Sequence, residues 1–277
     1  MNFIRGFFLL FAVAFAGAVS AAPSDWDEPF TPHRIADRLY YVGSRGLASY
    51  FVTTSKGHIL INSSFERTLP IIRGNVEKLG FKFTDIKFLL ASHAHSDHVQ
   101  GHGLIKELTG ARVEVMAGDD KVIANGGKGQ YLYDETWRPC AVDRVLKDGD
   151  TITLGEVTLT ARHTPGHTRG CTTWTTTVQD GGRNYNVVFF CSLRSPANVT
   201  PAIASELDRS FKLVRTLPCD IPLGDHPAEY GMLDKYPKLK AGAPNPFVDG
   251  ANCFAEAEVQ EAMYHALVAE QKSPARP

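Results

Sequence analysis

The sequence predicts an α/β protein in which two β-sheets pack face to face with helices on the outside. Three observations carry that prediction. Runs rich in β-branched and aromatic residues recur in both halves of the chain, separated by turns that contain glycine. Each strand-rich half is followed by a segment of helical periodicity. At 277 residues, 43% hydrophobic and 21% charged, the chain carries enough apolar surface to fill a core between two such sheets.

The chain opens on "MNFIRGFFLLFAVAFAGAVSAAPSDW", where Arg5 precedes an apolar stretch over residues 6–19 and the small residues Val19, Ser20, Ala21 and Ala22. This is the pattern of a signal peptide, and the apolar run is shorter than the roughly 20 residues a spanning helix needs. Residues 1–21 are therefore expected to be cleaved near Ala21 or Ala22, leaving residues 22–277 as a single domain in an exported compartment, the bacterial periplasm. "LYYVGS", "SYFVTT" and "HILINSS" read as strands, the first hairpin closing near "RGLA"; a helical pattern over residues 66–79 ends at Gly80. "IKFLLAS" reads as a buried strand, residues 97–108 as a helix with Ser96 as its N-cap, "ARVEVMAG" as a strand, and "NGGKGQYLYDETWRPC" as a loop. "DTITLGEVTLTARHT" turns at Gly155 and "CTTWTTTVQDGGRNYNVVFFCS" at "DGG", both as hairpins, with helices over residues 203–217 and 256–271.

A formal net charge of -1 provides no field to recruit nucleic acid or an anionic membrane surface, which leaves a small molecule or a protein as the expected partner. Five cysteines, Cys140, Cys171, Cys191, Cys219 and Cys253, are an odd number without CxxC spacing, so a thiolate zinc knuckle is excluded and at most two pairs form. With a core this large no disulfide is obligatory, and Cys171 and Cys191, in strand-like runs, are as open to a role as small buried apolar residues as to any other.

The densest chemistry lies at residues 93–98, "HAHSDH", just after an apolar strand. In an extended segment His93 and His95 point to one side, and Asp97 and His98, opening a helix, turn back toward the same point. Imidazole and carboxylate ligands suit Zn²⁺ at ~2.0–2.2 Å, whereas calcium takes only oxygen. Four ligands on one short loop do not close one tetrahedron, so the natural reading is two neighbouring metal ions. Further ligands must come from other strand ends. "HTPGHT" offers His163 and His167, with a Pro-Gly turn aiming His167, and "DIPLGDHPAEY" places His226 past another buried strand.

"HAHSDH", "TPGHT" and "GDHP", in this order and over roughly residues 30–270, resemble the metallo-β-lactamase superfamily. "YYVGS", "SHAHSDHVQG", "TPGHTRGCTTW", "YGM" and "GAPNPF" resemble its class B, subclass 3 β-lactamases. The resemblance implies an αββα sandwich of two mixed β-sheets with outer helices. It implies two zinc ions per chain, the first on His93, His95 and His167 and the second on Asp97, His98 and His226, with loops 46–50 and 131–137 flanking the groove. Glyoxalase II and many other relatives carry a bridging aspartate at the end of the strand that here reads "NVVFFCSLRS"; this chain has no carboxylate there, and Ser192 fits subclass 3. Cys191, one residue earlier, should face the other way along the strand, and stands where relatives often have an acidic residue. The resemblance implies that Ser192, Arg194 and Ser195 stand where relatives hold the carboxylate of a β-lactam, although serine is more usual than Arg194 there and the following "SPANVTPAIASEL" is shorter than in many relatives. The resemblance also implies a Cys219–Cys253 disulfide.

The implied activity is zinc-dependent hydrolysis of the β-lactam amide bond in penicillins, cephalosporins and carbapenems, conferring antibiotic resistance. Zinc brings the pKa of a bound water from 15.7 to near 7, so hydroxide attacks without a side-chain base, while Asp97, with His95 and His226, completes the catalytic set. The expected state is a periplasmic monomer with no membrane span and no nucleic-acid partner. Alternatives are another zinc hydrolase of this fold, a lactonase or esterase, or an exported zinc-binding protein without activity.

Overall fold

The computed structural model describes residues 24–129 and 135–273; the signal peptide read at residues 1–21 and part of the groove loop, residues 131–134, lie outside them. The first sheet contains β1 (His33–Ala36), β2 (Leu39–Tyr41), β3 (Tyr50–Thr54), β4 (Gly57–Ile61), β5 (Ile86–Leu90), β6 (Arg112–Met116) and β7 (Arg144–Leu146), ordered as in sequence. β1 to β4 pair antiparallel, and β4 to β7 run parallel. Parallel neighbours need a crossover. Those crossovers are α1 (Leu69–Lys78), the pair α2 (Ser96–Val99) and α3 (His102–Thr109), and α4 (Asp120–Ala124). The second sheet runs in the order β12-β11-β10-β9-β8, from β8 (Thr151–Leu154), β9 (Val157–His163), β10 (Thr172–Asp180), β11 (Arg183–Phe189) and β12 (Ile221–Leu223). β8 to β11 are antiparallel, and β12 joins parallel to β11 after α5 (Pro201–Val214). α6 (Met232–Lys235) and α7 (Ala255–Lys272) follow. Both sheets are mixed, as expected.

The period-2 alternation explains the layers. On β3, Tyr50 and Val52 face the core between the sheets while Phe51 faces outward; on β4, Ile59 and Ile61 face in and Leu60 out. Both faces are buried, so these strands read as continuous apolar runs and not as alternating ones. Trp174, Leu159 and Val187 of the second sheet complete the central layer, and Leu69, Ile72, Val76 and Ile105 of α1 and α3 cover the outer face of the first sheet. On α5 the buried positions Leu207, Ser210, Phe211 and Val214 fall at i, i+3, i+4 and i+7, packing with Ala257 and Tyr264 of α7. Thr200 caps α5 by accepting the Ile203 N–H, and Pro201 fits its first turn. The result is helix, sheet, sheet, helix.

Two local expectations need correction. The helix read over residues 97–108 is broken into α2 and α3 around Gly101, where an added Cβ would sit 2.9 Å from the Ser63 carbonyl oxygen. Its N-cap is His95, not Ser96, which lies inside α2 and makes no cap hydrogen bond. Cys171 and Cys191 are buried and bonded to each other, their Cα atoms 5.9 Å apart across the start of β10 and the end of β11. The Cys219–Cys253 disulfide is present, and Cys140 is a free buried thiol, pushed up to about 11 by burial.

The sandwich gathers its chemistry at one edge. Thr172 N donates to Ser92 O at 2.7 Å and Trp174 Nε1 to Ala91 O at 2.9 Å, so the second sheet is pinned where β5 ends. Asn62 N donates to Leu90 O and Ala48 N to Asp225 O, bringing the segments after β4, β5 and β12 together. This is the carboxyl-end position where open α/β sheets place ligands.

Candidate metal centre

Leaving β5, the chain turns because Ser92 N donates to Asn62 Oδ1 at 2.8 Å, with Asn62 itself in the left-handed region at φ 64°. His93 and His95 then face His167, brought in by the Pro-Gly turn after β9. The three rings stand 4.6–4.7 Å apart, centroid to centroid, with candidate ligand atoms all within 4.8 Å of one another. Asp97, His98 and His226 form a second such group. The two groups touch through His93 and His98, whose rings are 4.3 Å apart. The six residues that the sequence pointed to are therefore brought together; His163 is not, its Nε2 facing Arg169 O at 2.8 Å.

Three of the imidazoles are held from behind. His167 Nδ1 lies 2.9 Å from Arg194 O and His226 Nδ1 3.2 Å from Gly46 O. A carbonyl only accepts, so these Nδ1 atoms carry the proton and Nε2 keeps its lone pair. His93 Nδ1 lies 3.1 Å from Asp225 Oδ2. An oxygen fixing the far nitrogen of an imidazole is the arrangement of metal-ligating histidines.

The electrostatics favour a cation. Burial would raise Asp97, but the His98 and His226 imidazoles outweigh it and hold the carboxyl well below the usual range. Burial would lower His98, yet the carboxylates of Asp97 and Asp225 raise it to about 9. In contrast, burial and the neighbouring imidazoles lower His95, take His167 to about 3 and take His226 to about 4, keeping these rings neutral. His98 Nε2 is buried and, among the described residues, has no hydrogen-bond partner of good geometry, although it stands 3.1 Å from the ion-paired Asp97 Oδ2. Neutral imidazoles, an ionised carboxylate and a buried nitrogen with no hydrogen-bond partner among the described residues fit a divalent metal of the zinc class, whose binding would displace the His98 proton.

Both groups lie on the floor of a cleft of about 800 Å³ whose walls include Trp26, Arg45, Gly46, Phe65, Ser192 and Arg194. From the expected flanking loops Gly46, Glu135 and Thr136 reach the cleft, whereas Tyr50 is buried with its hydroxyl donating to Gly224 O. Ser195 does not line the cleft. The Arg194 carbonyl has a role that its side chain did not announce, since it orients His167. Cys191 does not face away: its Sγ lies 3.7 Å from His93 Nδ1, but the bond to Cys171 leaves it no thiolate. Asp225 escaped notice although "GDHP" contains it; next to a ligand-type histidine and past a buried strand, a carboxylate is a candidate brace.

Residues 44–179 match the family model of the metallo-beta-lactamase superfamily. The native FEZ-1 metallo-beta-lactamase of Legionella gormanii is 41% identical, with 89% of this chain and 98% of that one covered and a TM-score of 0.86. BJP-1, a subclass B3 metallo-beta-lactamase of Bradyrhizobium japonicum, is 36% identical over 90% of this chain and 97% of its own, with a TM-score of 0.83. A probable metallo-hydrolase of Burkholderia pseudomallei is 32% identical over 98 residues, 33% of this chain and 32% of that protein. The chain thus spans about a third of that curated relative's length, in contrast to the nearly complete overlap with the solved β-lactamases. With the paired histidine groups at the end of a helix-flanked double sheet, these matches show that the chain belongs to the metallo-β-lactamase superfamily, is a hydrolase, and resembles the subclass B3 members.

Proposed function

We propose that the protein is an exported β-lactamase that uses two zinc ions per chain to hydrolyse the amide bond of penicillins, cephalosporins and carbapenems, acting as a periplasmic monomer. The observation that carries this reading is the adjacency of the two groups, His93, His95 and His167 beside Asp97, His98 and His226, on the floor of an open cleft. Likeness to solved β-lactamases over almost the whole of their chains supports the substrate class. Two disulfides support export, since such bonds persist in oxidising compartments.

In this reading His93, His95 and His167 hold one zinc, and Asp97, His98 and His226 the other. When bound there, zinc would supply Lewis acidity that lowers the pKa of a water toward neutrality and polarises a carbonyl. The chain supplies orientation and proton handling. Arg194, exposed on the cleft wall, pairs its guanidinium with the β-lactam carboxylate, and Ser192 adds a small polar edge beside it. Asp97, ionised beside its imidazole neighbours, would take at Oδ1 the proton that the attacking water gives up and deliver it to the departing amide nitrogen as the C–N bond breaks.

The test is hydrolysis of a chromogenic cephalosporin and of a carbapenem by the purified mature protein, with chelator and with zinc restored. Turnover that chelation abolishes and zinc restores is the expected result. No turnover in zinc-loaded protein, with cleavage of lactones or esters instead, would overturn the β-lactamase reading.

A further inference from the structure

Asp119, the residue before α4, is 2% exposed and has no ion-pair partner among the described residues. Its carboxylate instead accepts three hydrogen bonds. Ala94 N donates to Oδ2 at 2.8 Å, Thr168 Oγ1 to Oδ2 at 2.7 Å, and Gly170 N to Oδ1 at 2.8 Å. Ala94 stands between His93 and His95, and Thr168 follows His167. One side chain therefore ties the loop after β5 to the loop after β9, the two segments that supply the first histidine group.

The approach is too close to be incidental packing. A Cβ at Gly170 would lie 2.5 Å from Asp119 N and 2.6 Å from its Cβ, and one at Gly118, where φ is 108°, would lie 2.8 Å from the Arg169 carbonyl carbon. Glycine on each side lets backbone meet backbone here. Burial pushes the Asp119 pKa up, and the three donors oppose it by favouring the anion. A buried carboxylate without a cation beside it is expensive unless its hydrogen bonds are complete, and these are short.

We infer that Asp119 is a positioning residue for the His93, His95 and His167 group, setting the separation of its two loops and thereby the affinity of that group for its metal ion. The inference rests on the reading of this group as a zinc site. Asp119 touches neither metal nor substrate; it acts through Ala94 and Thr168.

The experiment measures zinc binding to the full mature protein by competition with a chromophoric chelator, together with the visible spectrum of the cobalt-substituted protein, for wild type, Asp119→Ala, Asp119→Asn and Thr168→Val. Wild type should bind two ions. Asp119→Ala should weaken one of them by roughly 10–100-fold, the range found when a group that orients a ligand is removed, and leave the other unchanged. Asp119→Asn should fall between, since one amide oxygen still accepts, and Thr168→Val should lose a few-fold. The cobalt bands of the weakened site should shift. Unchanged affinities and bands, with only a lower melting temperature of the chelated protein, would overturn the inference and leave Asp119 a stabilising residue. If Asp119→Ala does not fold, Thr168→Val decides by the same readouts. Wild type that binds fewer than two zinc ions would instead refute the proposed metal reading itself.

Discussion

His93 Nδ1 and Asp225 Oδ2 lie 3.1 Å apart with both side chains buried, and the same carboxylate oxygen accepts the backbone N–H of Ser192 at 2.8 Å. One oxygen thus joins the His93 imidazole after β5 to the segment after β11. Asp225→Ala should lower zinc affinity at the first group by roughly 10–100-fold, with Asp225→Asn milder because an acceptor remains. Chelator competition on the two variants checks this; equal affinity in Asp225→Ala and wild type would show that the contact does not orient His93.

His95→Ala and Asp97→Ala should each reduce turnover below about a tenth of wild type while the fold persists, because the two residues sit at the edge of the sandwich and not in its layers. Steady-state kinetics beside a circular dichroism spectrum separates the two effects. Retained activity above that level would refute their assignment.

Arg194→Ala should raise KM for a β-lactam about tenfold or less and leave kcat nearly unchanged, since an exposed charge-assisted pair is worth little more than that. The carbonyl that orients His167 survives the substitution. A large fall in kcat with constant KM would show that the side chain acts on the reaction and not on binding.

Stability of the chelated protein should fall in acid partly through His33. Its Nδ1 faces Thr31 O at 3.0 Å, its ring stacks near Tyr41 and Phe247, and burial lowers its pKa from 6.5 to about 4. The neutral ring is the form that the fold accepts, so the unfolded chain binds the extra proton between these values. The contribution is present above pH 6.5 and lost as pH falls through about 4, a drop of up to ~3 kcal/mol. Denaturant titrations of wild type and His33→Phe across this range should show a shallower pH slope in the variant, and identical slopes would refute the attribution.

Replacing Cys219 and Cys253 together by serine should destabilise the protein by about 3–4 kcal/mol, because the bond closes a loop of 34 residues in the unfolded chain. Urea unfolding with matched oxidised wild type measures it. A change under about 1 kcal/mol would show that surrounding packing holds these segments without the bond.

Much of this protein is local and therefore legible in order along the chain. The apolar runs at β3, β4 and β5, the hairpins turning at Gly155 and at Gly181 and Gly182, and the helical spacing of Leu207, Phe211 and Val214 state their conformations within a few residues. So does "HAHSDH", whose crowding of candidate donors is visible within six positions. β1 was not anticipated, because "HRIA" carries little strand preference and exists as a strand through its pairing with β2. The split between α2 and α3 falls where Gly101 N donates to Ser64 O at 2.9 Å instead of to the preceding helical turn, a hydrogen bond across 37 positions that no local window contains.

The groups that brace the clustered histidines depend on tertiary structure entirely. A histidine's chemistry is written in its type, but which oxygen faces its second nitrogen depends on where distant segments end. Arg194 O reaches His167, Gly46 O reaches His226 and Asp225 reaches His93 only after the two sheets have packed and their loops converge. The partner of Cys191 was hidden for the same reason: β10 and β11 bring Cys171 to within 5.9 Å of it, Cα to Cα, from 20 residues away. The chain order thus specifies the donors and the strands that carry them. The packing of one sheet on the other decides their separation, their tautomers and the buried carboxylates behind them, because those are properties of distances between segments that the chain does not place side by side.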